Sequence, residues 1–89
     1  MENDQRFANF VILQAQNAGM FLGQVPNPIS GKLEVNIKAA RSVLDSLEML
    51  ENKTTGNRTP EEDKLLQTAL LNLRSLHAGV EERGEAPGS

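Results

Sequence analysis

Apolar residues recur at spacings of three and four in three stretches of the chain, and each stretch predicts an amphipathic helix. In the first, Phe7, Phe10, Val11, Gln14, Ala18 and Phe21 share one face, predicting a helix over 4–22. Asn3 or Asp4 is its N-cap and places acidic charge at the positive end of the helix dipole. The second stripe is Ile37, Ala40, Val43, Leu44, Leu47 and Leu50, predicting a helix over 36–52 capped by Asn36. The third is Leu66, Ala69, Leu73, Leu76 and Val80, widened by Leu65, Leu70 and Leu71, and predicts a helix over 60–78. Its start is marked by the run "TPEE". Thr59 is the N-cap, Pro60 takes the first helical position, and Glu62 stands three residues after the threonine as a capping box requires. Gly79 marks the predicted exit, and the remaining "EERGEAPGS" has nothing to bury, which predicts a disordered tail over 79–89.

The two connectors differ in character. "TTGNR" is a short turn in which Gly56 or Asn57 supplies a positive φ, so the second and third helices form an antiparallel hairpin. The longer connector, "GQVPNPISGKLEV", opens on Gly23, suited to closing a helix in the left-handed conformation. Pro26 and Pro28 cannot continue a helix and hold the residue before each in extended geometry. Ser30-Gly31 signals a turn, and Lys32 to Val35 alternates polar and apolar residues as a short extended segment would. Val25, Ile29 and Leu33 are apolar, and the expectation is that they pack against the helices or meet a partner.

The first helix is apolar on more than one side, because Ile12, Leu13 and Met20 fall off its main stripe. A helix of that kind is buried on more than one side, and two short helices of the same chain do not suffice to cover it. The pattern therefore predicts an all-α fold: N-terminal helix, Pro/Gly connector and antiparallel hairpin in one domain over 1–78, assembled as a homo-oligomeric helical bundle. The residues assigned to self-association are Phe7, Phe10, Val11, Leu13 and Phe21. Val25, Pro26 and Ile29 are assigned to contact with a partner, another protein. Gly19 weakens the helix by about 1 kcal/mol relative to alanine, or lets another backbone approach closely.

Composition supports a supplement from a partner chain. A chain of 89 residues forms one small core, and chains of that size commonly add disulfides, a metal or another subunit. There is no cysteine and one histidine, so oligomerisation is the supplement left. The lack of cysteine fits a reducing, cytoplasmic location. The net charge of −3 and three aromatic residues give no basic stripe or stacking platform, and nucleic-acid binding is not expected. "MENDQRFANF" has no basic n-region of a secretory signal. The apolar run after it is interrupted by Asn9, Gln14, Gln16 and Asn17 and is too short to span a bilayer, so stable membrane insertion is not expected.

Candidate chemistry is sparse. Gly31-Lys32 invites a phosphate-loop reading, but seven residues separate Gly23 from Gly31, Leu33 stands in place of the Mg²⁺-ligating hydroxyl, and a helix rather than a strand precedes the loop. His77 reads as a surface histidine at a helix end, and Glu61, Glu62 and Asp63 as complements to a helix dipole. Asp45, Glu48 and Glu51 form an acidic ridge without the E-x-x-H pattern of a di-metal bundle, and read as a solvated face. No nucleophile stands beside a base. The expectation is a non-enzymatic interaction or scaffold protein without a cofactor, or alternatively a small-molecule-binding or regulatory module with a pocket between subunits.

Two quoted runs, "FANFVILQAQNAGMFLGQVPNPISGK" and "LDSLEMLENKTTGNRTPEEDKLL", together resemble the bacterial domain-of-unknown-function family 1844. The resemblance covers about Arg6 to Arg74 and rests on F-L-G-x-x-P-x-P, L-E-M-L and G-N-x-T-P-E-E. It implies a small, mostly helical bacterial protein and assigns no catalytic or binding residue.

Overall fold

The computed structural model describes residues 2–82 and contains three helices: α1 (Gln5–Phe21), α2 (Ile37–Lys53) and α3 (Pro60–Glu82). Each helix packs on the other two. The start of α1 is bonded to the start of α3 through Asp4 N–H to Glu62 Oε2 (2.6 Å) and Asn3 Nδ2 to Glu61 Oε2 (2.6 Å). The six-residue turn after α2 reverses the chain into α3. Thus α1 and α3 run parallel, with α2 antiparallel to both.

The core is a single cluster. Val11, Ala18 and Leu22 come from the first helix and its cap, Ala40, Val43, Leu44 and Leu47 from α2, and Leu66, Leu70, Leu73 and Val80 from α3. The helical spacing places each set on one face, and burial of that face supplies the driving force of the fold.

The starts of all three helices and the exit of α1 are closed by local devices. Asp4 caps α1, its carboxylate accepting from Arg6 N–H at 2.9 Å. Asn36 caps α2 through Ala39 N–H at 3.1 Å. At α3 the capping box is complete: Glu62 N–H donates to Thr59 Oγ1 (3.1 Å), and Thr59 N–H donates to Glu62 Oε1 (2.9 Å). The exit of α1 is a Schellman motif, with Gln24 N–H on Gly19 O (2.9 Å) and Gly23 N–H on Met20 O (3.0 Å). In the second turn the positive φ belongs to Gly56, not Asn57.

Three expectations change. First, α3 does not stop at Gly79 but continues through Glu82, one turn further. Val80 is fully buried, and burying a valine gives about 1.5–3 kcal/mol, more than the ~1 kcal/mol that a helical glycine costs. Residues 83–89 of the expected tail lie outside the described residues. Second, the short extended segment expected over Lys32 to Val35 amounts to one isolated antiparallel bridge, between Leu22 and Val35. Third, the connector does not turn its apolar side chains inward, for Val25, Ile29 and Leu33 are all exposed. Of this segment only Val35 packs against the core.

Candidate functional site

The expected self-association residues divide into two groups. Val11 is fully buried in the three-helix core, which removes it from any surface role. Phe7 and Phe21 are half-buried and packed on the same core. They lie on the flank of α1 that the other two helices cover. Phe10 and Leu13 remain at the surface, 44% and 52% exposed. Ile12, on the opposite flank, is 44% exposed. So α1 does carry apolar side chains on both sides of its buried face, and the chain's own helices leave these uncovered.

The connector adds to this surface. Val25 is 48% and Ile29 95% exposed, and Pro26 is exposed as well. The loop is held by its own hydrogen bonds. Asn27 N–H reaches Lys32 O (2.8 Å), Gly31 N–H reaches Asn27 O (2.7 Å), and Ile29 N–H reaches Asn27 Oδ1 (2.8 Å). The Ser30 hydroxyl donates to the Glu34 carboxylate. Gly31 takes φ +72° to close the turn. Ile29 is thus displayed at the surface by a bonded turn.

Between α1 and α3 runs an apolar groove of about 360 Å³, walled by Ile12, Ala15 and Gly19 on one side and Leu65 and Ala69 on the other, with Val25 closing one end. No groove residue is charged. Sequence reasoning missed the groove, because its two walls lie some fifty positions apart. One signal for the wider surface was present: from Phe7 to Gly31 the chain contains no charged residue. Exposed faces of α2 and α3, by contrast, carry Lys38, Arg41, Asp45, Glu61, Lys64 and Arg74.

The charged candidates serve the fold. Arg41 pairs with Asp45 at 3.2 Å along α2. Of the ridge expected to be solvated, Asp45 is exposed, while Glu48 bonds Arg74 (3.0 Å) and Glu51 accepts from Gln67 Nε2 (2.6 Å), both on α3. Arg58 bridges Glu51 O, Thr54 Oγ1 and Asp63, clasping the second turn. His77 is not at a helix end or at the surface. It is buried, with Nδ1 3.0 Å from Glu81 Oε1 and Nε2 without a hydrogen-bond partner. It borders a small pocket with Ile37, Lys38, Arg41 and Glu81. Among the described residues no three His, Cys, Asp or Glu side chains gather as a metal ligand set. Nor is any described helix long and apolar enough to cross a membrane.

Glu62 has a role beyond its own helix. Its Oε1 caps α3 through Thr59 N–H, and its Oε2 receives Asp4 N–H from the start of α1. These two backbone N–H donors hold the carboxyl below its usual range. A lowered carboxyl pKa adds stability that is fully present above the unfolded value and lost as pH falls through the folded one. The expected result is a melting temperature that declines as pH drops below the ordinary glutamate value of about 4.3. Glu62→Gln is expected to lower the melting temperature at pH 7 and to flatten that acid decline. An unchanged acid slope in the variant, followed by circular dichroism, would remove Glu62 as its source.

No curated protein and no solved structure matches the chain. The family model described as Domain of unknown function (DUF1844) does match, over residues 4–78, a span that takes in the capping-box helix, the connector and nearly all of the three-helix core. The chain belongs to that family.

Proposed function

We propose that this protein is a non-enzymatic interaction module that self-associates through the uncharged surface of α1 and its connector. The observation that carries the reading is the exposure of Phe10, Ile12, Leu13, Val25 and Ile29 within one charge-free stretch, residues 7–31. Interface cores are depleted in charge and enriched in apolar and aromatic side chains. Exposed apolar residues scattered singly need no explanation, but Ile12 and Val25 adjoin in the wall of one groove, and Phe10 and Leu13 lie exposed on the other flank of the same helix.

Multi-angle light scattering of the purified protein at micromolar concentration tests the reading. The expected mass is that of a dimer or larger. Leu13→Asp, on an exposed position, is expected to shift it toward the monomer with helical content unchanged. A well-folded monomer for the unaltered chain overturns the proposal. The groove supports a second reading, since about 360 Å³ falls within the range of small-ligand sites. It lies within one chain rather than between subunits. Native mass spectrometry separates the two: a retained apolar ligand supports the binding-module reading, and a clean protein mass counts against it.

A further inference from the structure

We infer that the α1–α3 groove receives the connector loop of a second copy, with Ile29 as the inserted side chain. The inference rests on the self-association reading and gives it a specific geometry. Its first support is electrostatic complementarity. None of the groove residues Val11, Ile12, Ala15, Gln16, Gly19, Val25, Leu65 and Ala69 can pair a charge, and a charge placed there without a partner is costly. An occupant has to be apolar and uncharged where it sits. Of the chain's two connectors only one meets this condition. The stretch Gly23 to Gly31 is uncharged and displays Val25 and Ile29, with Lys32 and Glu34 only after it, whereas the turn "TTGNR" between α2 and α3 offers no aliphatic or aromatic side chain of its own and contains Arg58.

The second support is preorganisation. The loop's hydrogen bonds, the two prolines and the positive φ of Gly31 hold Ile29 outward, 95% exposed, before any partner arrives. A loop backbone ordered before binding loses little further freedom when it docks. Since Ile29 is exposed in the isolated chain, it does not fill its own groove. The third support is continuity. Val25 both closes the groove and belongs to the loop, so knob and hole lie side by side on one apolar surface. That adjacency is what a two-fold arrangement needs for both loops to exchange at once and for the contact to close at a dimer.

The chain has no cysteine, which makes a direct test simple. Two single-cysteine variants, Ile29→Cys and Ile12→Cys, the second on a tagged chain of different mass, are mixed and oxidised. A disulfide between the two chains is expected, well above that formed when Asn72→Cys replaces Ile12→Cys; any such bond between differently sized chains is intermolecular. In parallel, Ile29→Asp is expected to raise the concentration of half-dimerisation by about tenfold or more, the behaviour of an anchor residue. Its folding serves as a control, because the position is exposed. A chain that dimerises but shows neither the cross-link nor an effect of Ile29→Asp overturns the exchange and leaves pairing through Phe10 and Leu13. A chain that stays monomeric overturns the exchange together with the self-association reading beneath it.

Discussion

Leu66→Ala is expected to lower the stability of the protein by about 3 kcal/mol, within the range measured for large-to-small changes in closed cores. Leu66 is 0% exposed and belongs to the single core cluster that all three helices share. It lies one turn beyond the capping box of α3, where the bonds from Glu62 to Asp4 and from Glu61 to Asn3 already hold α1 against α3. The backbone around it is therefore poorly placed to collapse into the space that truncation leaves, and both lost transfer energy and the residual cavity count. In a domain of this size, 1 kcal/mol moves the melting temperature by about 4–8 °C, so a fall of about 15 °C is expected. Leu71→Ala, on the exposed face of α3, should stay within about 0.5 kcal/mol, as surface changes do. Urea unfolding of both variants checks this. Equal losses at the two positions would contradict the assignment of the core.

Gly23→Ala is expected to cost about 2 kcal/mol, from two separate causes. Gly23 sits at φ +76°, in the left-handed region where an L side chain costs about 1–2 kcal/mol. A Cβ there would also stand 3.2 Å from Val35 Cγ2, closer than ordinary packing allows. Gly31 supplies the comparison. It has a similar φ of +72° but open space around a built Cβ. Gly31→Ala should therefore cost less than Gly23→Ala, only the conformational part of about 1–2 kcal/mol. The double variant Gly23→Ala, Val35→Ala removes the crowding and should recover part of the loss beyond what Val35→Ala itself causes. A Gly31→Ala effect as large as that of Gly23→Ala would show that the Val35 contact is immaterial. The result bears on function as well, since the Schellman closure at Gly23 sets the direction in which the chain leaves α1 and carries Val25 to the end of the groove.

Much of the architecture was legible in the chain because its signals act over short distances. Thr59 and Glu62 are three residues apart, and their reciprocal bonds need only the first turn of α3 to form. The α2 stripe from Ile37 to Leu50 is covered as its spacing predicts, with its central four residues buried and its ends half-buried. The turn at Gly23 closes α1 through Gly23 N–H on Met20 O and Gln24 N–H on Gly19 O, within five positions. The apolar excess of α1 was also visible, since Ile12 and Leu13 fall off the main stripe and remain exposed in the fold.

The misreadings share a different cause. Val11 and Phe10 are neighbours on the same predicted face, yet one is buried and the other is 44% exposed. Which edge of the stripe is covered depends on where α2 and α3 settle. His77 was placed at a helix end because Gly79 follows it. Packing of Val80 against the core instead carries the helix onward and draws His77 inside. Ile29 and Leu33 were open to packing inward, but the bonds from Asn27 to Ile29, Gly31 and Lys32 close the loop on itself and hold them in water. The second role of Glu62, receiving Asp4 N–H across 58 positions, has no local trace at all.

Three helices, their caps, the long connector and an apolar surplus on the first helix follow from residues within about five positions of one another, where backbone hydrogen bonds and side-chain periodicity operate. The parallel pairing of α1 with α3, the groove between them and the outward display of Ile29 come from packing between segments distant in the chain. Burial of apolar area is non-directional and selects among several coverings of the same stripe. The fold alone therefore determined which part of that surplus became core and which part was left exposed.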